Sequence, residues 1–223
     1  MAVVNAERAR WLAATEVFCA GAIVLAHNVF RVLPNEVPIL VVLAFLSTRL
    51  RFGRWEWSAL GFRRPQSWTR ILLIALAATA VRQLVGSLLI EPAAEHVWGT
   101  VNAPSGAQAL RGNLKLVLLY LPLVWGFAAF GEEIAYRGYV LGRAADSGGG
   151  SSRAWWAAAL ASSILFGLGH YYKGPAGIVD SAFAGLVLAT AYLVSGRILW
   201  TCILAHGFMD TVAMFAVYLG WDT

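Results

Sequence analysis

The chain has 223 residues, of which 59% are hydrophobic and 13% are charged, whereas a soluble globular domain carries about 25% charged residues. This deficit, together with apolar runs of about 20 residues, excludes an ordinary soluble domain and indicates a multi-pass membrane protein. The net charge of +5 does not indicate a nucleic-acid partner. The basic residues lie in short connections between apolar segments, not along a stripe that alternates with aromatic residues.

Seven apolar segments follow one another along the chain. They show no period-2 alternation, and in lipid only helices or closed barrels satisfy every backbone group, so each segment is predicted to be a helix. The predicted fold is therefore an all-α, polytopic membrane bundle of about seven transmembrane helices. The segments cover residues 11–32, 37–50, 70–90, 114–141, 154–171, 176–194 and 198–219.

The distribution of Lys and Arg predicts the orientation of the bundle. With seven spans, twelve of these residues fall on one side of the membrane and four on the other. Because cytoplasmic connections carry the excess of positive charge, the N-terminus is predicted to be cytoplasmic and the C-terminus to lie outside the inner (plasma) membrane. Six of the twelve lie in the second connection: Arg49, Arg51, Arg54, Arg63, Arg64 and Arg70. This basic connection, with its tryptophans, is interpreted as an interfacial anchor facing anionic lipid.

Two adjacent carboxylates end the apolar run of the fourth segment, in the stretch FGEEIAYRG. Glu133 and Arg137 are four residues apart, on one helix face, and can neutralise each other. Glu132 is turned about 100° away from Glu133, so it is free to face a cavity. The alternative is a simple stop-transfer boundary with the charges at the lipid headgroups.

Two further polar sets lie in the fifth and seventh segments. FGLGH places His170 four residues after Phe166, and HGFMD places Asp210 four residues after His206. Each set could instead be a hydrogen-bonded structural feature. Because an ionisable residue at the centre of a span costs about 2.5–3.5 kcal/mol on the insertion scale, such residues need a partner or a function. In the third segment, Arg82 is expected to form a structural ion pair with Glu16 or Asp180.

Three helices could bring these polar sets into one buried cavity, where the chemistry that suits them is the activation of water. A carboxylate can take a proton from water and return it to a leaving amine. Neutral imidazole and a carboxamide or protonated acid can donate to a developing oxyanion. The sequence contains no G-x-S-x-G, no H-E-x-x-H, no G-x-G-x-x-G and no P-loop.

In these three motifs the chain resembles the CAAX protease and bacteriocin-processing (Abi domain) family of intramembrane proteases, which includes the CAAX prenyl endopeptidase. The family pattern is E-E-x-x-x-R, then F-x-x-x-H, then H-x-x-x-N or D. The resemblance implies a catalytic core of four helices in residues 114–223, after N-terminal transmembrane helices and the basic connection in residues 1–113. The whole chain would form one integral membrane domain.

The resemblance also implies roles for the site residues. Glu132 and His170 would activate the hydrolytic water, and Glu133 with Arg137 would support the site. His206 and Asp210 would form the oxyanion side. Asp210 stands where enzymes that cut prenylated proteins commonly carry Asn, and an ionised carboxylate cannot donate a hydrogen bond. Asp210 must therefore be protonated or must orient His206, and the CAAX substrate class is not carried over to this chain.

The resulting prediction is a glutamic-type, metal-free intramembrane endopeptidase acting on a membrane-anchored protein or peptide, with no nucleic-acid partner. Zinc is the alternative cofactor, because two His and a Glu can hold it with an open position. A non-catalytic membrane scaffold or partner-binding module remains open. So does a transporter with a proton relay, although the chain shows no internal repeat.

Overall fold

The computed structural model describes residues 2–102 and 106–221, and in this part of the chain all regular structure is helical. The described residues form nine α-helices, numbered in chain order. They are α1 (Ala2–Asn28), α2 (Glu36–Phe52), α3 (Trp68–Val85), α4 (Glu91–Trp98), α5 (Leu114–Leu123), α6 (Gly142–Ser147), α7 (Ser152–Gly169), α8 (Gly174–Val194) and α9 (Leu199–Leu219). Short 3₁₀ turns at Trp57–Leu60, Ala107–Leu110 and Tyr171–Lys173 lie in the connections.

Each of the seven predicted segments corresponds to a helix, but five helices of the described chain are long and apolar enough to be membrane spans. The two that fall short are α2, with 17 residues, and α7, with 18 residues that include several serines. The five candidate spans make this a multi-pass membrane protein. They are Ala6–Asn28, Trp68–Trp98, Leu114–Ser147, Tyr171–Val194 and Leu199–Leu219.

Two of the spans contain π-helix next to a proline. The segment Gly86–Ile90 precedes Pro92 and joins α3 to α4, so the predicted break near residue 90 is absent and the helix continues to Trp98. Pro122 lies inside α5, and the π-segments Val124–Glu132 and Ile134–Leu141 follow it. Proline removes a backbone donor and clashes with the preceding turn, and the wider turns of Gly86–Ile90 relieve this clash at Pro92.

Close helix packing depends on small residues, as is usual in membranes. A Cβ on Gly167 of α7 would lie 2.5 Å from the carbonyl oxygen of Ile178, on α8. Gly185 of α8 also lies close to α7, since a Cβ there would be 3.1 Å from the Cα of Ser163. The backbones of α7 and α8 are therefore almost in contact, which fixes the end of α7 relative to the bundle.

A second constraint is the ion pair between Arg82 of α3 and Asp180 of α8, with 2.7 Å between Arg82 Nη2 and Asp180 Oδ2. Asp180 is thus the partner of Arg82, as one of the two sequence alternatives predicted. A Cβ on Gly86 would collide with Arg82 Nη1, so the glycine provides the space for the guanidinium. Glu16, the other alternative, pairs with Arg143 of α6 instead.

Candidate active site

The helix that carries the acidic pair contributes a buried ion pair to the centre of the bundle. Glu133 and Arg137 are 0% and 1% exposed, and Arg137 Nη1 donates to Glu133 Oε1 at 2.8 Å. Arg137 Nη2 also donates to the carbonyl oxygen of Gly185, at 3.0 Å. This is the i,i+4 pair that the sequence predicted. The hydrogen bond from Arg137 to Gly185 also links the pair to α8.

Glu133 has a further partner that the spacing of the motifs did not predict. His206 Nδ1 lies 2.7 Å from Glu133 Oε1, the same oxygen that receives Arg137. Since a carboxylate only accepts, the Nδ1–H of His206 is the donor. This contact fixes the ring and directs its Nε2 towards Asp210, whose Oδ2 is 3.5 Å away.

Glu132 differs from Glu133 in its surroundings. Its side chain is half-buried, and its Oε2 is buried without a hydrogen-bond partner. The charged groups of His206, Asp210, Glu133 and Arg137 lie within electrostatic range of its carboxyl group. The two glutamates therefore differ as the helix-face argument predicted. Glu133 is held through Oε1, although its Oε2 is also unpaired, and the carboxyl group of Glu132 forms no hydrogen bond in the described residues.

His170 caps the C-terminal end of α7. Its Nδ1 lies 2.9 Å from the carbonyl oxygen of Phe166, which identifies Nδ1–H as the donor and leaves the lone pair on Nε2. A neutral imidazole held in this way can accept a proton from water. Glu132 and His170 form no hydrogen bond with each other within the described chain.

The aromatic ring of Phe166 joins the three motifs. Its centroid lies 4.7 Å from that of His170 and 6.0 Å from that of His206. The guanidinium carbon of Arg137 lies over the same ring, 4.5 Å from its centroid. The phenylalanine of F-x-x-x-H is thus a packing centre that holds the two histidines and the arginine in fixed positions.

Sequence reasoning missed Tyr136 and Trp125. Tyr136 is 2% exposed and packs edge-on against Phe166, and its hydroxyl oxygen lies so near α7 that a Cβ on Gly169 would be 2.6 Å away. Trp125 packs on Gly207, where a Cβ would be 2.6 Å from the indole ring, and its Nε1 donates to Thr211. The small residues opposite these rings, inside the G-rich motifs, are the signal that could have indicated both.

No group of three or more His, Cys, Asp or Glu side chains within residues 2–102 and 106–221 is arranged to hold a metal ion. His206 uses Nδ1 for Glu133, and Glu133 Oε1 already receives two donors. His206 therefore has Nε2 as its only free ring nitrogen.

Residues 114–212 match the family model described as type II CAAX prenyl endopeptidase Rce1-like. The matched range contains all six candidate residues, and it confirms the resemblance to the CAAX protease family that the three motifs indicate. No curated protein and no solved structure matches the chain significantly.

Proposed function

With residues 114–212 assigned to the CAAX protease family, we propose that this protein is an intramembrane endopeptidase. It hydrolyses a peptide bond of a membrane-associated protein or peptide. The single observation that carries the proposal is the difference between the two glutamates: Glu133 Oε1 receives Arg137 and His206, whereas the buried Oε2 of Glu132 belongs to a carboxyl group that forms no hydrogen bond in the described residues. A buried polar atom left unpaired lowers stability, so its presence next to a fixed histidine indicates a catalytic role.

In this mechanism the Glu132 carboxylate takes one proton from a water molecule, assisted by the Nε2 lone pair of His170. The hydroxide oxygen forms a bond to the scissile carbonyl carbon, and the carbonyl electron pair moves to its oxygen. As the tetrahedral intermediate collapses, the C–N bond breaks and Glu132 returns its proton to the leaving amine. Glu132 thus ends each cycle ionised, as it began.

His206 supplies the oxyanion side. With Nδ1–H directed to Glu133, only Nε2 can face a substrate, and it donates only when the ring is protonated on both nitrogens. Carboxylates beside the two ring nitrogens, Glu133 at 2.7 Å and Asp210 at 3.5 Å, favour that cationic form. We propose this role for Asp210: it maintains the charge of His206 and does not itself donate to the oxyanion.

Replacement of Asp210 by Asn tests this role. Without the second carboxylate His206 holds its Nε2 proton less strongly, so kcat should fall about 10- to 100-fold with little change in KM, since the lost interaction acts in the transition state. On the alkaline side of the pH profile, kcat should decline at a lower pH than in the wild type. If Asn supported full activity with an unchanged profile, Asp210 would have no such role.

The proposed mechanism uses no metal. It rests on the donor arrangement described above, in which Glu133 and His206 are engaged with each other. Cleavage by the purified protein should therefore persist after treatment with 1,10-phenanthroline and EDTA. Loss of activity that added zinc restores would favour the zinc-dependent alternative.

The decisive experiment is Glu132→Gln, which keeps the shape of the side chain and removes its basicity. Membrane proteomes of cells that carry the wild type or the variant would be compared for substrate fragments. Glu7→Gln, which alters an exposed glutamate of α1, is the matched control. We expect Glu132→Gln to abolish cleavage while the purified protein remains folded, and Glu7→Gln to retain cleavage. Full activity of Glu132→Gln would refute the assignment, and its unfolding would favour a non-catalytic scaffold.

We also propose the location and orientation of the enzyme. The distribution of Lys and Arg supports an inner (plasma) membrane protein with a cytoplasmic N-terminus. His206 is seven residues into α9, which corresponds to about 10 Å from the helix start at 1.5 Å per residue. In that orientation the site lies below the cytoplasmic surface, where a membrane-anchored protein or peptide substrate can reach it from the bilayer.

A further inference from the structure

A cavity at the start of α3 is separate from the candidate active site. Its volume is about 540 Å³, and its walls are the segment 63–71 and the turn between α8 and α9. Three of the residues that line it are arginines, Arg63, Arg64 and Arg70, and none of its lining residues is acidic. All three arginines are exposed.

The positive charge of this cavity is not neutralised within the described chain. Arg63 Nη2 donates to the carbonyl oxygens of Gly196 and Arg197, at 3.0 and 2.9 Å, and Arg70 Nη2 donates to that of Val194 at 3.3 Å. These contacts are with uncharged backbone groups, so they hold the guanidinium groups in place without compensating their charge. Arg64 forms no ion pair in the described residues.

A neighbouring cavity of about 250 Å³ shows the contrast. There Arg143 and Arg51 both pair with Asp146, at 2.8 and 3.1 Å, and Arg143 also pairs with Glu16. In the smaller cavity Arg51 and Arg143 are thus paired with carboxylates, whereas the described lining of the larger cavity contains no carboxylate. An anion from outside the chain would neutralise the arginines of the larger cavity.

The surroundings indicate where that anion comes from. Trp68, the first residue of α3 and of a candidate span, is about half exposed and packs on Trp200 with 6.3 Å between ring centroids. Half-exposed tryptophans at the end of a span lie in the headgroup layer of a bilayer. The N-terminus of α3, capped by Ser67, adds backbone N–H groups and a positive dipole end at the same wall.

We propose that this cavity binds the phosphate of an anionic lipid headgroup, held by Arg63, Arg64 and Arg70. Arginine forks match the oxygens of a phosphate in pairs, which gives a specific geometry beyond a general attraction to negative surfaces. The bound lipid would join the basic connection to the turn before α9, the helix that carries His206. The inference is independent of the proteolytic function.

The test uses the full-length protein in nanodiscs or detergent, titrated with phosphatidylglycerol or phosphatidylcholine and followed by native mass spectrometry. Arg64→Gln is the principal variant, because Arg64 makes no contact on which the fold depends. Arg49→Gln is the matched control, since Arg49 is an exposed arginine at the end of α2 that does not line the cavity. Arg70→Lys keeps the charge and loses the fork.

We expect the wild type to retain phosphatidylglycerol in preference to phosphatidylcholine. Arg64→Gln should weaken this retention about fivefold, as one arginine near a membrane surface contributes about 1 kcal/mol, and Arg49→Gln should not. Arg70→Lys should weaken it with the charge unchanged. An equal effect of Arg49→Gln would overturn the site in favour of diffuse surface attraction. Competition by millimolar inorganic phosphate as strong as by the lipid would overturn the lipid assignment.

Discussion

Glu133 Oε1 receives two donors, Arg137 Nη1 and His206 Nδ1, in a part of the bundle where all three side chains are nearly inaccessible. Removal of one member of such a set leaves the others as uncompensated charges. We therefore expect Arg137→Met to lower the free energy of unfolding by about 3–5 kcal/mol. Chemical or thermal unfolding of the purified protein in detergent would measure the change.

Glu132→Gln is the matched comparison, because it alters the adjacent carboxyl group whose Oε2 has no partner to lose. Its unfolding midpoint should equal or exceed that of the wild type. Equal destabilisation by Arg137→Met and Glu132→Gln would mean that both glutamates are structural. That result would contradict the proposal that Glu133 is structural and Glu132 catalytic.

The ion pair between Glu133 and Arg137 could be predicted from the sequence because it depends on helical spacing alone. The contact between Glu133 and His206 could not, since it joins residues 73 positions apart and requires the relative placement of two helices. Similarly, the sequence named Asp180 and Glu16 as partners for Arg82, and only the packing of α3 against α8 selects Asp180.

At the scale of single helices, the position of His170 depends on how closely α7 approaches α8. Gly167 lies one turn before His170, and a Cβ there would meet the Ile178 carbonyl oxygen at 2.5 Å and the Ala182 Cβ at 2.8 Å. Because both neighbours belong to a helix and cannot move aside singly, Gly167→Ala should separate the two helices. We expect a loss of stability of about 1–3 kcal/mol and a larger loss of activity.

Gly126→Ala provides the control, because a Cβ at Gly126 would meet nothing within 4 Å. In a helical segment this change should be neutral or stabilising, since alanine favours helix by about 1 kcal/mol over glycine. Unfolding midpoints and cleavage rates of both variants would be compared. Normal activity of Gly167→Ala would show that the spacing of α7 and α8 does not position His170.

The existence of the helices could be predicted from apolar runs, but their local form could not. The third segment is predicted to end at residue 90, just before Pro92, whereas the π-segment Gly86–Ile90 lets the helix continue past this proline. The π-segments on either side of Glu133 follow Pro122. Wider turns of this kind often occur at functional sites, and hydrophobic periodicity over a short window does not detect them.

At the scale of the whole molecule, contacts between the connections bear on the number of membrane crossings. Arg63 donates to the carbonyl oxygens of Gly196 and Arg197, so the second connection and the turn before α9 lie at the same end of the bundle. Likewise, Arg10 Nε donates to the carbonyl oxygen of Ser147, which places the start of α1 beside the end of α6.

At the opposite end of the bundle, two backbone hydrogen bonds likewise join a connection to a distant part of the chain. The N–H of Asn102 donates to the carbonyl oxygen of Lys173, and that of Gly112 donates to the carbonyl oxygen of Tyr218, at 3.0 Å in both cases. If only the five long spans crossed the bilayer, the second connection and the turn before α9 would fall on opposite sides. These contacts therefore favour crossings by α2 and α7 as well, although each is shorter than a usual span.

Seven crossings predict the side of the membrane on which each connection lies in intact cells. The native cysteines, Cys19 and Cys202, would be replaced, and single cysteines introduced at Gly150, between α6 and α7, and at Gly106, between α4 and α5. With seven crossings and a cytoplasmic N-terminus, an impermeant maleimide should label Gly106→Cys and leave Gly150→Cys unlabelled until the cells are lysed. With only five crossings, the two labelling patterns would be exchanged, because without a crossing by α2 both connections change sides. The labelling pattern thus shows whether the short helix α2 crosses the membrane. It also shows whether the basic second connection is cytoplasmic, as its positive charge and the contacts between the connections indicate.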